Sequence, residues 1–180
     1  MATPARRYRY VGPADIRAGI RPDGAGYRVT CPADFARWVA SVAVPELAEP
    51  VSYVVDLTGV LRLAPRRSEH VACAGGQDVL GAGEVAFVPD QAGGRNVPSG
   101  HWVVSYVSNQ STGYCPDLDS WPAVASALDR AGLPHPHGFT AGLIFRRCPD
   151  CGLCNVVRDD DFSCVACAGD LPRQWNLDRR

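Results

Sequence analysis

Lysine is missing from this chain: all 18 basic residues are arginine. The absence removes Schiff-base chemistry and lysine general bases from consideration. The arginine-only usage reads as the codon bias of a GC-rich, bacterial genome. The chain also lacks an HExxH pair, which disfavours an open-site hydrolytic zinc enzyme. No apolar run nears the roughly 18 to 20 residues that cross a bilayer. "MATPARRYRY" carries basic residues without the apolar stretch of a signal peptide, so the expected location is cytoplasmic. A net charge of −1 supplies no global field for polyanions or anionic membranes.

What is present points to a globular protein. Hydrophobic residues make up 46% of 180 positions, enough for one domain of ordinary size and a small appendage. Residues 1 to 10 are rich in Arg and Tyr, and the start of the chain is expected to fray. "GYRVTCP" (26–32) reads as a short strand. "PADFARWVASVAV" (32–44) reads as a helix with Pro32 in its first turn, an apolar face of Phe35, Trp38, Val39 and Val42, and a stop at Pro45. Strands are expected on both sides of a turn at Thr58-Gly59, at 83–88 and at 101–109, with an exposed loop at 89–100. "DSWPAVASALDRAGL" (119–133) reads as a second helix, capped by Asp119 or Ser120 and stopped by Gly132, with Trp121, Val124, Ala125 and Leu128 inward. "LPHPHG" is a rigid linker, and "FTAGLIF" (139–145) a strand into the C-terminal segment. The expected architecture is α+β: a small mixed or antiparallel sheet with two helices over 1–138, then a zinc ribbon over 139–180.

The ribbon rests on Cys148-x2-Cys151 and, further on, Cys164-x2-Cys167. A CxxC turn brings two thiolates to one side of a tight loop. Two such turns at the ends of a short hairpin supply a tetrahedron of sulfurs that suits Zn²⁺. Four thiolates leave no coordination position for water, so the one zinc is read as structural, stabilising a fold too small for its own core. Iron in a rubredoxin-like site would use the same sulfurs. Cys154 could stand in for Cys151, although the "CPDCG" turn favours Cys151. The second turn has its glycine one place late ("CAGD"). The arginines near the ribbon are offset by aspartates, a weak footprint for a phosphate backbone, so nucleic acid is not the expected partner.

Chemistry-capable side chains gather in two other segments. "SEHVACAGGQDVLGAGEV" (68–85) holds Glu69, His70, Cys73 and Glu84; "SNQSTGYCPD" (108–117) holds Asn109, Ser111, Tyr114 and Cys115. Both are expected at strand ends, where a polar cluster makes a plausible site. Each residue has a structural reading too: Asn109 to Thr112 as a turn, His70 as a hydrogen-bonded structural histidine, Cys73 and Cys31 as small packed residues.

"EHVACAGG", "GAGEV" and "SNQSTGYCP", in that order over about residues 66 to 130, resemble the small domain that follows the calmodulin-binding motif in plant IQ-motif proteins and their bacterial and fungal relatives. Here His70 is displaced by about one place, Gly113 stands where the family has histidine, no IQ motif is present and the ribbon is an addition. The resemblance implies a site at Glu84, Ser111 and Tyr114 and names no activity.

Two functions compete on these residues. In the first, the α+β domain binds a small polar ligand or a protein partner through Glu69, Asn109, Ser111 and Tyr114, with zinc structural. In the second, the chain is a Cys-dependent hydrolase or transferase. Cys115 would be its nucleophile, His70 its base and Glu84 or Glu69 the orienting carboxylate, with Thr112 or Gly113 N–H groups for an oxyanion. A nucleic-acid accessory role through the ribbon is a third. Arg28 with Ser111-Thr112 matches part of an ADP-ribosyltransferase signature, but no glutamate follows Glu84 to complete it.

Overall fold

The computed structural model describes residues 5–21, 24–43, 47–90 and 101–178. The chain is an α+β protein. Its elements are α1 (Ala14–Ala18), β1 (Tyr27–Val29), α2 (Pro32–Ser41), β2 (Val51–Asp56), β3 (Leu61–Ala64), α3 (His70–Cys73), β4 (Val79–Pro89), β5 (Trp102–Val107), α4 (Trp121–Arg130), β6 (Ile144–Arg147) and β7 (Cys154–Val157). Strands β1 to β5 form one antiparallel sheet in the order β1-β3-β2-β4-β5, and β6 and β7 form a separate hairpin.

The sheet is covered on both faces. Val51, Tyr53 and Val55 of β2 point into a core with Phe35 and Trp38 of α2 and Val124, Ala127 and Leu128 of α4. Val54 points the other way, into a second cluster with Tyr8, Val71, Cys73, Val79 and Tyr114. A strand buried on both sides reads as a continuous apolar run, which is why "VSYVVD" shows little alternation. Its one inward polar side chain, Ser52, is satisfied by the carbonyls of Ser68 (3.1 Å) and Arg66 (3.3 Å).

Several expectations shift. Ala127 takes the inward place expected of Ala125 because α4 buries the Val124, Ala127, Leu128 stripe. The strand expected at 139–145 occupies 144–147 instead. Residues 140 and 141 hang on the Val107 carbonyl at the end of β5, and only beyond them does the chain enter the hairpin. Residues 1–4 lie outside the described residues, and the N-terminal segment beyond them is packed at Tyr8 and Tyr10. Tyr8 exchanges backbone bonds with Val79 (2.8 and 3.0 Å), is fully buried, and meets the Trp175 ring edge-on at 5.3 Å. The stop at Pro45 and most of the 89–100 loop lie outside the described residues. No helix among the described residues is long and apolar enough to cross a membrane.

Candidate functional site

The four cysteines singled out by spacing come together. The sulfurs of Cys148, Cys151, Cys164 and Cys167 all lie within 4.8 Å of one another. The Cys148–Cys167 and Cys151–Cys164 sulfur separations are 3.5 and 3.6 Å. A tetrahedral zinc with bonds of about 2.3 Å sets sulfur–sulfur edges of roughly 3.8 Å, so the cage has the size and donor set for a thiolate metal. The two turns are built alike. Gly152 N–H donates to the Cys148 carbonyl (3.0 Å) and Cys148 N–H to the Leu153 carbonyl (2.8 Å). In the second turn Ala168 donates to Cys164 (2.9 Å) and Cys164 to Gly169 (2.8 Å). The late glycine therefore leaves the geometry unchanged. Ala168 itself takes the left-handed backbone, φ 58, that Gly152 takes at φ 76. Backbone N–H groups of Ala166 and Cys167 favour the Cys164 thiolate. Asn155 Nδ2 adds a contact to the same sulfur at 3.6 Å. Cys154 is not in the cage.

Most of the polar loop at 108–115 is turned inward. Asn109, fully buried, clamps three segments: Nδ2 donates to the carbonyls of Pro116 (2.9 Å) and Leu143 (2.8 Å), and Oδ1 accepts from Leu143 N–H (2.7 Å). Ser111 Oγ accepts from Tyr114 N–H at 3.4 Å, and Tyr114 donates its hydroxyl to the Gln77 carbonyl. Ser111 and Tyr114 are 1% and 0% exposed, so neither presents an edge to solvent. Burial pushes the Tyr114 hydroxyl well up from its ordinary value. Tyr10 closes over this cluster, edge-on to Tyr114 at 5.6 Å.

The 68–85 stretch is explained mainly by packing. α3 is a single turn that ends in Gly75 and Gly76, at φ 61 and 78, where a side chain would be strained. Gly83 is required for another reason. A Cβ there would sit 2.8 Å from the Ser108 carbonyl carbon and 3.1 Å from Asn109 Cα. The motif thus lets β4 touch the exit of β5. Ser108 stitches the contact: its N–H donates to Glu84 O (2.9 Å) and its Oγ accepts from Glu84 N–H (3.2 Å). Its carbonyl accepts the Tyr53 hydroxyl (2.8 Å).

His70 Nε2 lies 2.8 Å from the Gly83 carbonyl. Burial lowers its pKa against the opposing pull of that carbonyl and of Glu84 and Glu69, so the ring is a neutral donor. Glu69 is exposed and Glu84 half-buried beside it. Cys115 belongs to a different neighbourhood. It is 1% exposed, packs with Phe145 and Leu177, donates its thiol to Thr112 O (3.3 Å) and faces the Cys154 sulfur at 3.5 Å. The hydrogen bond with Cys154, then burial, raises the Cys115 thiol far above its ordinary value. The bonds of His70 and Cys115 thus run to different partners, and the thiol is held protonated.

One feature had no signal in the sequence. A groove of about 770 Å³ runs between the N-terminal segment and the ribbon, lined by Arg9, Tyr10, Arg17, Asp78, Arg147 and Leu177 among others. Arg147 donates Nη1 to Gly152 O at 3.1 Å, while its Nε is buried without a hydrogen-bond partner.

Fold and cage together define a class: an α+β domain followed by a hairpin whose four cysteines could hold a metal ion. Comparison with protein-family models, curated proteins and solved structures found no match.

Proposed function

We propose that the chain is a zinc-stabilised binding module of the cytoplasm, whose α+β domain takes a small, polar, negatively charged ligand in the groove beside the ribbon. The ribbon holds one Zn²⁺ through Cys148, Cys151, Cys164 and Cys167. All four positions are filled by sulfur, so the metal's contribution is to the fold. It fixes the hairpin that carries Arg147 to the groove wall. The observation that carries the binding reading is the gathering of Arg9, Arg17 and Arg147 on one groove, against only Asp78 and Asp178, with Arg147 Nε buried and unpartnered. A buried donor without a partner costs about 1 to 3 kcal/mol, and an anion or its water would recover that. The resemblance to the domain of plant IQ-motif proteins implies a site at Glu84, Ser111 and Tyr114, and of these Tyr114 packs directly behind Tyr10, which lines the groove.

Thermal shift of the zinc-loaded protein with phosphate, pyrophosphate, citrate and adenine nucleotides tests this. One of them should raise Tm. A ligand at a hundredfold excess over Kd adds about 2.7 kcal/mol. Arg17→Ala should abolish the shift while leaving the unliganded Tm in place. If no anion shifts Tm, or the shift survives in Arg17→Ala, the groove is not the ligand site. Metal analysis of the same sample should give zinc, colourless in the visible range where a thiolate-bound iron absorbs.

A further inference from the structure

Two thiols outside the metal cage meet across the junction of the sheet and the ribbon. Cys115 and Cys154 are 39 positions apart in sequence, yet their sulfurs are 3.5 Å apart. Cys115 is buried; Cys154, at the start of β7, is exposed. The pair is held from several sides. Cys115 N–H donates to Ser111 O (2.7 Å), and its carbonyl accepts from Trp175 Nε1 (2.8 Å). Its backbone sits at φ 44, the left-handed region that a non-glycine residue occupies only when its surroundings hold it there. Cys154 is pinned opposite Arg147 in the hairpin ladder. A disulfide needs a sulfur–sulfur distance of about 2.05 Å, so closing it takes roughly 1.5 Å of side-chain rotation.

We propose that Cys154 and Cys115 are a redox-active dithiol, which a hydroperoxide converts into a disulfide that locks the ribbon to the α+β domain. The exposed Cys154 is the attacking sulfur. The single Cys115 S–H, turned from the Thr112 carbonyl to the Cys154 sulfur 3.5 Å away, favours the Cys154 thiolate, and the nearby Arg147 guanidinium favours it further. Its sulfur takes the terminal oxygen of the hydroperoxide. The O–O bond breaks, the departing alkoxide or hydroxide takes a proton, and Cys154 becomes a sulfenic acid. The Cys115 sulfur then bonds to the Cys154 sulfur and the S–O bond breaks. The Cys115 proton leaves with the hydroxyl as water. Two thiols lose two electrons in all, and one hydroperoxide is reduced to an alcohol and water. The buried Cys115 does not meet the oxidant, so it resolves the sulfenic acid and does not initiate.

The experiment uses the full zinc-loaded chain, treated with less than one equivalent of hydrogen peroxide, alkylated and mapped by mass spectrometry. The expected product is a Cys115–Cys154 crosslink, reversed by dithiothreitol, formed with zinc retained and with Cys31 still alkylated. Oxidation should be at least about tenfold faster at Cys154 than at Cys31. Cys115→Ala should leave a sulfenic acid at Cys154 that dimedone traps. The wild-type map decides by itself should that variant not fold. A first disulfide among the cage cysteines with zinc release overturns the proposal. So does Cys154 advancing to sulfinic acid while Cys115 remains free.

Discussion

Gly83→Ala separates a packing motif from a ligand-facing one. The new Cβ would fall 2.8 Å from the Ser108 carbonyl carbon and 3.1 Å from Asn109 Cα, and both are backbone atoms that no rotamer can move. Relief requires β4 and the exit of β5 to separate. Four hydrogen bonds cross or anchor that contact: Ser108 N–H to Glu84 O, Glu84 N–H to Ser108 Oγ, Tyr53 hydroxyl to Ser108 O, and His70 Nε2 to Gly83 O. At about 1 kcal/mol each their loss costs about 4 kcal/mol. Removing glycine's freedom from the unfolded chain returns about 0.4 to 1 kcal/mol. A net destabilisation of about 3 kcal/mol is expected, a large share of the total for a domain of this size. Urea unfolding of zinc-loaded wild type and variant, followed by tryptophan fluorescence, reads it as a fall in midpoint with the slope unchanged. Gly76→Ala is the control: φ 78 strains it, but no atom lies within 4 Å of the added carbon, so about 1 kcal/mol is expected. A Gly83→Ala variant that loses less than about 1 kcal/mol refutes the close-approach reading and reopens a ligand-facing role.

Two further outcomes follow from single residues. Ala168→Gly should stabilise the ribbon: relief of the left-handed strain at φ 58 is worth about 1 to 2 kcal/mol, less about 0.4 to 1 kcal/mol of added unfolded-state entropy. It should appear as slower zinc loss to a chelator, and an unchanged or faster loss counts against it. His70 sets a pH dependence. Burial depresses its folded pKa below the ordinary 6.5, so below that value the unfolded chain binds the extra proton first. The stability that neutral His70 contributes is therefore full above about pH 6.5 and declines as pH falls toward the folded value. The gap in urea midpoint between wild type and His70→Gln should narrow over that window at constant zinc. A gap that stays constant or widens with acid rules out a buried neutral ring.

The parts of this molecule that local chemistry governs are legible in the order of its residues. Cys148, Cys151, Cys164 and Cys167 are fixed as one set by turn geometry within a few residues, and the two longer helices, α2 and α4, by the spacing of Phe35 and Trp38 and of Val124 and Leu128. The left-handed turns at Gly75 and Gly76 also follow from local backbone sterics. Direction is not legible in the same way. Asn109, Ser111 and Tyr114 have the composition of a binding loop, and composition does not say whether a polar group faces water or the carbonyls of a distant segment. The partners of Asn109 at Leu143, and of Tyr114 at Gln77, lie more than thirty positions away. Cys115 and His70 match a nucleophile and a base by residue type. The tertiary structure gives each a different neighbour, because the chain leaving β5 delivers Cys115 to the ribbon while Gly83 draws His70 back onto β4. By itself, then, the sequence determined the α+β character and the four-cysteine cluster, both governed by short-range periodicity and spacing. The arginine groove, the burial of the polar loop and the Cys115–Cys154 pair were decided only by long-range packing, where chain segments with no sequence relation share one solvent-excluded space.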